Sequence, residues 1–548
     1  MLFYNQTQYE AQDGEKWIDV CLRNGLNQVL GVSVGGRSIG LDSPVKGDAT
    51  ALTYLDEDGQ RMYERSLRFL LLMAMEAVMP FTRVRIENTL GQGLLVTIQG
   101  VKIGDVLLNK IEGEMKRLVS EKLKLELNEV PTKEAIAYFA SREQYDKTEL
   151  LAFRKKPTIR LYEAGGIKNY FYGPMVYDTS YISVFKLTQV GPGFLMHLPD
   201  SKNPSVPAPY KPMPKLLDTF AESNAWLKIL DVQNLADLNK LTRSGEIREF
   251  IRVNEALVDM KINRIAMQIV DKGSRLVLIA GPSSSGKTTF CNRLAIALRV
   301  LGKKPVKLSL DDYYLDRDKV PLDEDGKPDL ECVEALDTAL INRQLKLILR
   351  GEEVDMPTFD FVTQKRSDKT HKIKVATDAP ILIEGIHGLN EKLTGSIPAS
   401  EKFKIYISAL TNINLDDHNR IRTTDARLIR RLVRDSFFRG TPVEETLSMW
   451  PSVRRGEDRY IFPFQEQADA MINSSLVYEL AIMKKYIFEQ LVKITPDKPI
   501  YSQARRLVKF LNYVDSADVE DEIPLNSLLR EFVGGSCFYR NAIPREEE

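Results

Sequence analysis

The sequence predicts an α/β protein whose second half is built on a mostly parallel sheet, preceded by a small β-rich module and an α+β region. Three observations predict it. An apolar strand-like run, a loop rich in glycine and serine, and an apolar series at helical spacing follow one another between 276 and 301. From Arg275 onward, strand-like and helix-like runs alternate. Upstream, short segments are broken by turn signals such as Gly35-Gly36 and Asp58-Gly59.

The first region, 1–60, reads as the β-rich module, and 61–200 reads as α+β. Helices are predicted from Tyr63 to Met79 and from Val106 to Leu127, with turns at Gly165-Gly166, Gly173-Pro174 and Gly191-Pro192-Gly193. The stretch 199–214 carries six prolines in sixteen positions. Proline removes backbone donors and fixes φ, so 201–225 reads as a linker or surface crossing. Leu227 to Val270 reads as helical, and 226–548 as one domain closed by a C-terminal extension. The apolar runs Leu507–Leu511 and Leu528–Val533 predict that this extension packs on the rest.

Composition narrows the classes. The 548 residues hold 76 Lys plus Arg and 76 Asp plus Glu, so global charge offers no draw to nucleic acid or membrane. Cys21, Cys291, Cys332 and Cys537 form no close pair, and His197, His371, His387 and His418 are scattered. That predicts free thiols in a reducing cytoplasm and no zinc site. The start, MLFYNQTQYEAQDGEKW, is no signal peptide. The longest apolar run, Phe69 to Met75, falls far short of the ~20 residues that span a bilayer.

The strongest local signal is Gly281-Pro282-Ser283-Ser284-Ser285-Gly286-Lys287-Thr288, with Thr289 after it. Glycines let backbone amides turn toward phosphate oxygens, the lysine reaches the β/γ-phosphates, and the threonine hydroxyl binds Mg²⁺. Leu276–Ala280 before it is a buried-strand run. Phe290, Leu294, Leu298 and Leu301 after it recur at helical spacing, and Gly302 is placed to stop that helix. A second strand, Pro305 to Leu310, ends at Asp311-Asp312-Tyr313-Tyr314, and a third, Pro380 to Ile383, ends at Glu384-Gly385. Ligands of parallel sheets sit beyond the carboxyl ends of strands. Three strands therefore deliver the loop, an aspartate pair and a glutamate to one edge.

Residues 425–435, DARLIRRLVRD, place Arg427, Arg430, Arg431 and Arg434 within an arc of roughly 100°. Like charges at i, i+4 repel. Such a stripe predicts either an anion clamp on a lid or a face neutralised by carboxylates. A guanine-reading N-K-x-D is missing, because Asn109-Lys110 and Asn239-Lys240 lack the aspartate two positions on. The third strand ends in Glu-Gly, where a motor ATPase would show Asp-Glu. Asp311 can serve as base for an acceptor hydroxyl, so phosphotransfer from ATP leads the readings.

With these residues in view, 275–480 resembles the uridine kinase and phosphoribulokinase group. The matching stretches are GPSSSGKT, Leu308–Tyr314, Pro357-Thr358-Phe359-Asp360-Phe361-Val362, Ile383-Glu384-Gly385 and RLIRRLVRD. The resemblance implies ATP and Mg²⁺ as cofactors and Asp311 with Lys287 as catalytic groups. It implies a phosphate lid of Arg427, Arg430, Arg431 and Arg434, and metal contact by Thr288 and Glu384. An acceptor site of Tyr314, Glu331, Phe359 and Gln364 is implied as well. Gln364 stands where uridine kinases carry a pyrimidine-reading histidine, which leaves the base open; Gln can still donate and accept hydrogen bonds.

Residues 20–200 resemble the TGS module, a small β-grasp fold, and the following domain of threonyl-tRNA synthetases. Ser33–Arg37, Asp58-Gly59 and Tyr63–Leu67 carry that likeness. Arg65 and Phe69 stand where that second domain has its H-x-x-x-H zinc pair, which implies no metal-dependent editing. Asn169–Pro174 reads as a packed aromatic turn. The leading expectation is a cytoplasmic ATP:nucleoside 5′-phosphotransferase with a uridine- or cytidine-like acceptor. The alternatives are a kinase for another small alcohol or sugar phosphate, and an RNA-associated ATP-binding regulator acting through the N-terminal half. Homo-oligomerisation is left open.

Overall fold

The computed structural model describes residues 1–538 apart from positions 13, 325, 361, 362, 364 and 412. The chain is α/β. Its first sheet has five strands in the order Thr7–Tyr9, Leu2–Tyr4, Ala49–Leu52, Gly31–Val34, Arg37–Ile39. Leu2–Tyr4 runs parallel to Ala49–Leu52, and the other pairings are antiparallel. One helix, Trp17–Arg23, buries Trp17, Ile18, Val20 and Cys21 against Leu2, Val32 and Ala51 of this sheet.

The next helix runs Glu57–Val78, so the expected boundary at residue 60 falls inside it. It packs on a four-stranded antiparallel sheet, Lys186–Val190, Gly193–His197, Gly93–Ile98 and Val84–Leu90, through a shared apolar core. The helix expected over Val106–Leu127 stops at Ser120. Lys122 takes a left-handed φ of 53°, and Glu126–Pro131 is a strand of a third, three-stranded sheet. The turn at Asn169–Pro174 is packed: Tyr170 and Phe171 are buried, and Tyr172 meets both Tyr170 and Tyr513 edge to face.

The proline-rich crossing is ordered by its own contacts. Ala208 O takes a hydrogen bond from the His197 ring at 2.8 Å, and Pro199 bridges Pro207. The helix Pro214–Ile229 begins inside the stretch 201–225 expected as a linker, with Pro214 in its first turn. The single helical run expected over Leu227–Val270 is three helices: Pro214–Ile229, Leu235–Ser244 and Ile247–Lys272. Asp231 turns left-handed at φ 52°, and Asn234 caps the second helix through Ala236 N and Asp237 N.

The second half carries a five-stranded parallel sheet ordered Val306–Ser309, Ile381–Glu384, Leu276–Ala280, Lys402–Ser408, Ala470–Asn473. Leu276–Ala280 and Lys402–Ser408 are buried throughout, as sheets covered on both faces require. Leu507, Leu511, Leu528, Leu529 and Phe532 join the core of this half, so the C-terminal extension packs as expected. Among the described residues no helix is long and apolar enough to cross a membrane.

A short hairpin, Asn414–Asp416 with Asn419–Arg420, ties the halves together. Ile86 N donates to Asp417 O at 2.8 Å, and Asn414 Nδ2 donates to Ile86 O at 2.9 Å. Arg68 donates to His418 O, Arg83 pairs with Asp417, and Arg422 pairs with Glu64. The hairpin leads directly into the helix Thr423–Phe438, called the arginine helix below.

Candidate active site

The loop after Leu276–Ala280 is held by backbone geometry. A Cβ on Gly281 would lie 1.9 Å from Ile407 O, a backbone atom of the neighbouring strand. Gly281→Ala is therefore expected to destabilise the fold by about 1–3 kcal/mol, read as a fall in the thermal unfolding midpoint; an unchanged midpoint would refute the tight approach. Ser284 (φ 59°) and Gly286 (φ 84°) take left-handed conformations, which swing the chain into the helix Lys287–Val300. The first amides of that helix lack intrahelical acceptors and suit an anion. Lys287 Nζ folds back onto Gly281 O at 3.0 Å and Pro282 O at 3.3 Å. The hydroxyls of Ser284 and Ser285 are buried without a hydrogen-bond partner.

Three successive loop carbonyls are pinned from behind. Arg427 Nε donates to Ser283 O at 3.0 Å, Arg430 Nη1 to Ser284 O at 3.4 Å, and Ser474 Oγ to Ser285 O at 2.6 Å. Within the loop, Ser283 N donates to Glu457 Oε1 at 3.2 Å and Ser285 N to Pro282 O at 3.3 Å, so the amides suited to an anion are those that open the helix Lys287–Val300.

The carboxylates gather at the same edge. Val306–Ser309 ends one residue earlier than expected, because Ser309 Oγ accepts from Asp311 N at 3.3 Å and starts a 3₁₀ turn over Leu310–Tyr313. Glu384 Oε1 accepts from Thr288 Oγ1 at 3.5 Å and from Ser309 Oγ at 3.2 Å. Burial pushes the Glu384 carboxyl up, the Asp311 charge pushes it further, and Lys287 pulls it back. Burial also raises Asp311 against the pull of Lys287. Lys287 is itself lowered by burial, with Glu384, Asp311 and Glu531 opposing. Loop lysine, strand-end aspartate and strand-end glutamate thus share one electrostatic environment.

Beside them, Tyr314 and Phe359 lie ring to ring at 5.7 Å, and Tyr314 OH donates to Leu330 O at 3.0 Å. Burial raises Glu331 to about 7, while Arg431 and Lys287 draw it down. Gln364 lies outside the described residues. His387, read in the sequence only as one of four scattered histidines, is buried just past Gly385 and meets Tyr460 edge to face. Burial lowers it to about 4, so the ring is neutral near pH 7.

Residues 276–480 match the phosphoribulokinase/uridine kinase family. A uridine kinase of Staphylococcus aureus strain JH9 is 31% identical over 202 residues, which span 37% of this chain and 88% of that enzyme. The chain belongs to the phosphoribulokinase/uridine kinase family. The uridine kinase of strain Newman matches to the same extent, 31% over 202 residues. Among solved structures, one described as a possible uridine kinase from Bacillus stearothermophilus is 18% identical. It covers 39% of this chain and 98% of its own, with a TM-score of 0.28. A D-glycerate 3-kinase from Cryptococcus neoformans var. grubii is 16% identical, covers 48% and 89%, and has a TM-score of 0.22. The family match leaves residues 1–275 outside it.

Within this P-loop kinase region the arginine stripe, expected either to clamp an anion or to be neutralised by carboxylates, divides in two. Arg427 and Arg430 are fully buried. Arg427 pairs with Glu457 and lies over the Trp450 ring, and Arg430 pairs with Glu479 and lies over Phe532. An unpaired guanidinium at such depth costs several kcal/mol, so the two carboxylates decide where these side chains go. Their free donors hold the loop. Arg431 and Arg434 lie on the open side. Arg431 Nη1 donates to Ser283 Oγ at 3.1 Å, and both are paired with Asp435. Among the described residues, no group of three or more His, Cys, Asp or Glu could hold a metal ion. A magnesium ion needs no such cage, since it takes one or two carboxylates plus phosphate oxygens and water. Thr288 and Glu384, joined at 3.5 Å, fit that minimal set.

Sequence reading missed Glu457, Glu479, Ser474 and Glu531. Glu457, Ser474 and Glu531 touch residues 283, 285 and 289 from far along the chain, Glu479 acts on the loop through Arg430, and none belongs to a recognisable motif.

Proposed function

We propose that the kinase region transfers the γ-phosphoryl group of ATP to the 5′-hydroxyl of a nucleoside-like acceptor. The observation behind this reading is the convergence of the loop 281–289, Asp311 and Glu384 on one edge of the parallel sheet. Asp311 accepts the proton of the acceptor hydroxyl as its oxygen bonds to the γ-phosphorus and the bond to ADP breaks. Lys287 stabilises charge on the β/γ-phosphates, aided by Arg431 and Arg434, while Arg427 and Arg430 hold the loop backbone through Ser283 O and Ser284 O. Thr288 and Glu384 would hold Mg²⁺, which when bound neutralises triphosphate charge. Tyr314 and Phe359 form a wall for the acceptor, and Glu331 is placed to receive its sugar hydroxyls.

The test is a screen of nucleosides, sugar phosphates and small alcohols coupled to ADP release, using the purified full-length chain. Uridine- or cytidine-like acceptors are expected to lead. ADP release with a sugar phosphate and none with nucleosides would replace this reading by the neighbouring one. Lys287→Ala is expected to weaken ATP binding by about tenfold, measured by calorimetry; unaltered affinity would remove Lys287 from the phosphate site.

We also propose that residues 1–60 are a β-grasp module of the TGS kind and that 61–200 is the synthetase-like domain without its metal pair. The parallel pairing of Leu2–Tyr4 with Ala49–Leu52 over a single helix supports the first. For the second, Arg65 donates twice to Pro174 O at 3.0 and 2.8 Å, and Phe69 packs edge to face on Phe171.

A further inference from the structure

The C-terminal segment reaches into the same site. Glu531 lies on the short helix Arg530–Val533. Its Oε2 accepts from Thr289 N at 3.2 Å and from Thr289 Oγ1 at 2.8 Å. Its Oε1 lies 3.9 Å from Arg434 Nη1. Leu528 closes the approach on the other side, 3.6 Å from where a Cβ on Gly286 would sit. The segment is anchored at several points. Ser527 Oγ donates to Glu255 at 2.5 Å, and Arg530 Nη2 donates to Glu520 O at 2.7 Å and Ile523 O at 2.8 Å. Phe532 sits beneath the Arg430 guanidinium at 5.0 Å.

Thr289 belongs to the first turn of the loop helix, whose amides have no intrahelical acceptor. A carboxylate there gains from the helix dipole and from a charge-assisted hydrogen bond. Those are also the terms that would hold a phosphate oxygen. One side chain thus takes up the Thr289 amide and hydroxyl and sits beside the Arg434 guanidinium, all groups suited to a polyphosphate. One N–H cannot serve two anions, and like charges at contact distance repel.

We propose that Glu531 is a resident competitor for the nucleotide: the phosphates entering the loop displace its carboxylate from Thr289, and the C-terminal segment thereby sets nucleotide affinity. The inference rests on the reading of 281–289 as the ATP site. It makes Thr289 and Arg434 exchange partners, from Glu531 to phosphate, when nucleotide arrives.

The experiment is calorimetric titration of full-length wild type, Glu531→Gln, Glu531→Ala and Lys287→Ala with MgATP. Glu531→Ala is expected to bind about tenfold more tightly than wild type. Glu531→Gln, which keeps an acceptor oxygen but loses the charge, is expected to fall between them. Equal or weaker binding by both Glu531 variants, with Lys287→Ala still impaired, overturns the inference and leaves the nucleotide site standing. Absence of binding in all four proteins overturns both. Hydrogen exchange on wild type gives a readout independent of any variant's folding. Amides of 527–533 are expected to exchange faster at saturating MgATP, and unchanged protection there overturns the displacement.

Discussion

Asp311→Asn is expected to lower turnover by about 10³-fold while leaving ATP affinity within a few-fold of wild type. A positioned general base contributes on the order of 10²–10⁴ to rate, and asparagine keeps the shape while losing the capacity to take a proton. The carboxyl is half-buried at the edge of the site, with Lys287 nearby and its own backbone N–H bound to Ser309 Oγ, so the loss of one charge should not unseat the turn. The pH dependence supplies a second readout. Burial raises Asp311 above the ordinary aspartate range, so more of it is protonated as the pH falls, and a protonated carboxyl cannot act as base. Wild-type turnover should therefore rise with pH through that raised value and then level, and Asp311→Asn should lose that inflection. Turnover within twofold of wild type would remove Asp311 from the chemistry.

Contiguous features were the legible ones. The strand, loop and helix from 276 to 300 are legible because all the groups that shape them are neighbours in sequence. Asp311 and Glu384 could be placed at one edge because each ends an apolar run, and parallel strands order those ends alike. Helix breaks at Lys122 and Asp231 were not legible. Each is a non-glycine residue in a left-handed conformation, and nothing in residue type announces it. The arginine stripe shows a different limit. Periodicity puts Arg427, Arg430, Arg431 and Arg434 on one face, yet burial separates the first two from the last two. Glu457 and Glu479 make the separation, from separate helices further along the chain. Glu531 is harder still, since 242 positions separate it from Thr289 and its local sequence reads only as an apolar run.

The junction between the halves carries the largest expected stability effect. Asp416 is fully buried, and so is Lys147, whose Nζ donates to it at 2.7 Å. Tyr170 OH adds a bond at 2.7 Å, His418 N one at 2.9 Å, and Asn419 N one at 3.0 Å. Burial alone would raise this carboxyl; the Lys147 ammonium, above all, outweighs it and leaves the group below its ordinary value. Asp416→Ala would strand the ammonium in the junction, at an expected cost of about 3–5 kcal/mol. Asp416→Ala combined with Lys147→Met is expected to recover much of that cost, because no charge is then left unpaired. Thermal unfolding and protease sensitivity between residues 200 and 226 would read both variants. Equal stability of wild type and Asp416→Ala would show that the ion pair contributes nothing to docking. The pH sign is fixed by the lowered value. The contribution is complete above the unfolded aspartate range near pH ~3.9 and fades as pH falls through the folded value, so the junction should loosen in acid and hold at neutral pH. Because Asp416 sits on the hairpin that leads into the arginine helix, and Arg427 and Arg430 of that helix hold Ser283 O and Ser284 O, Asp416→Ala should also weaken MgATP binding. The double variant should restore it in proportion to stability.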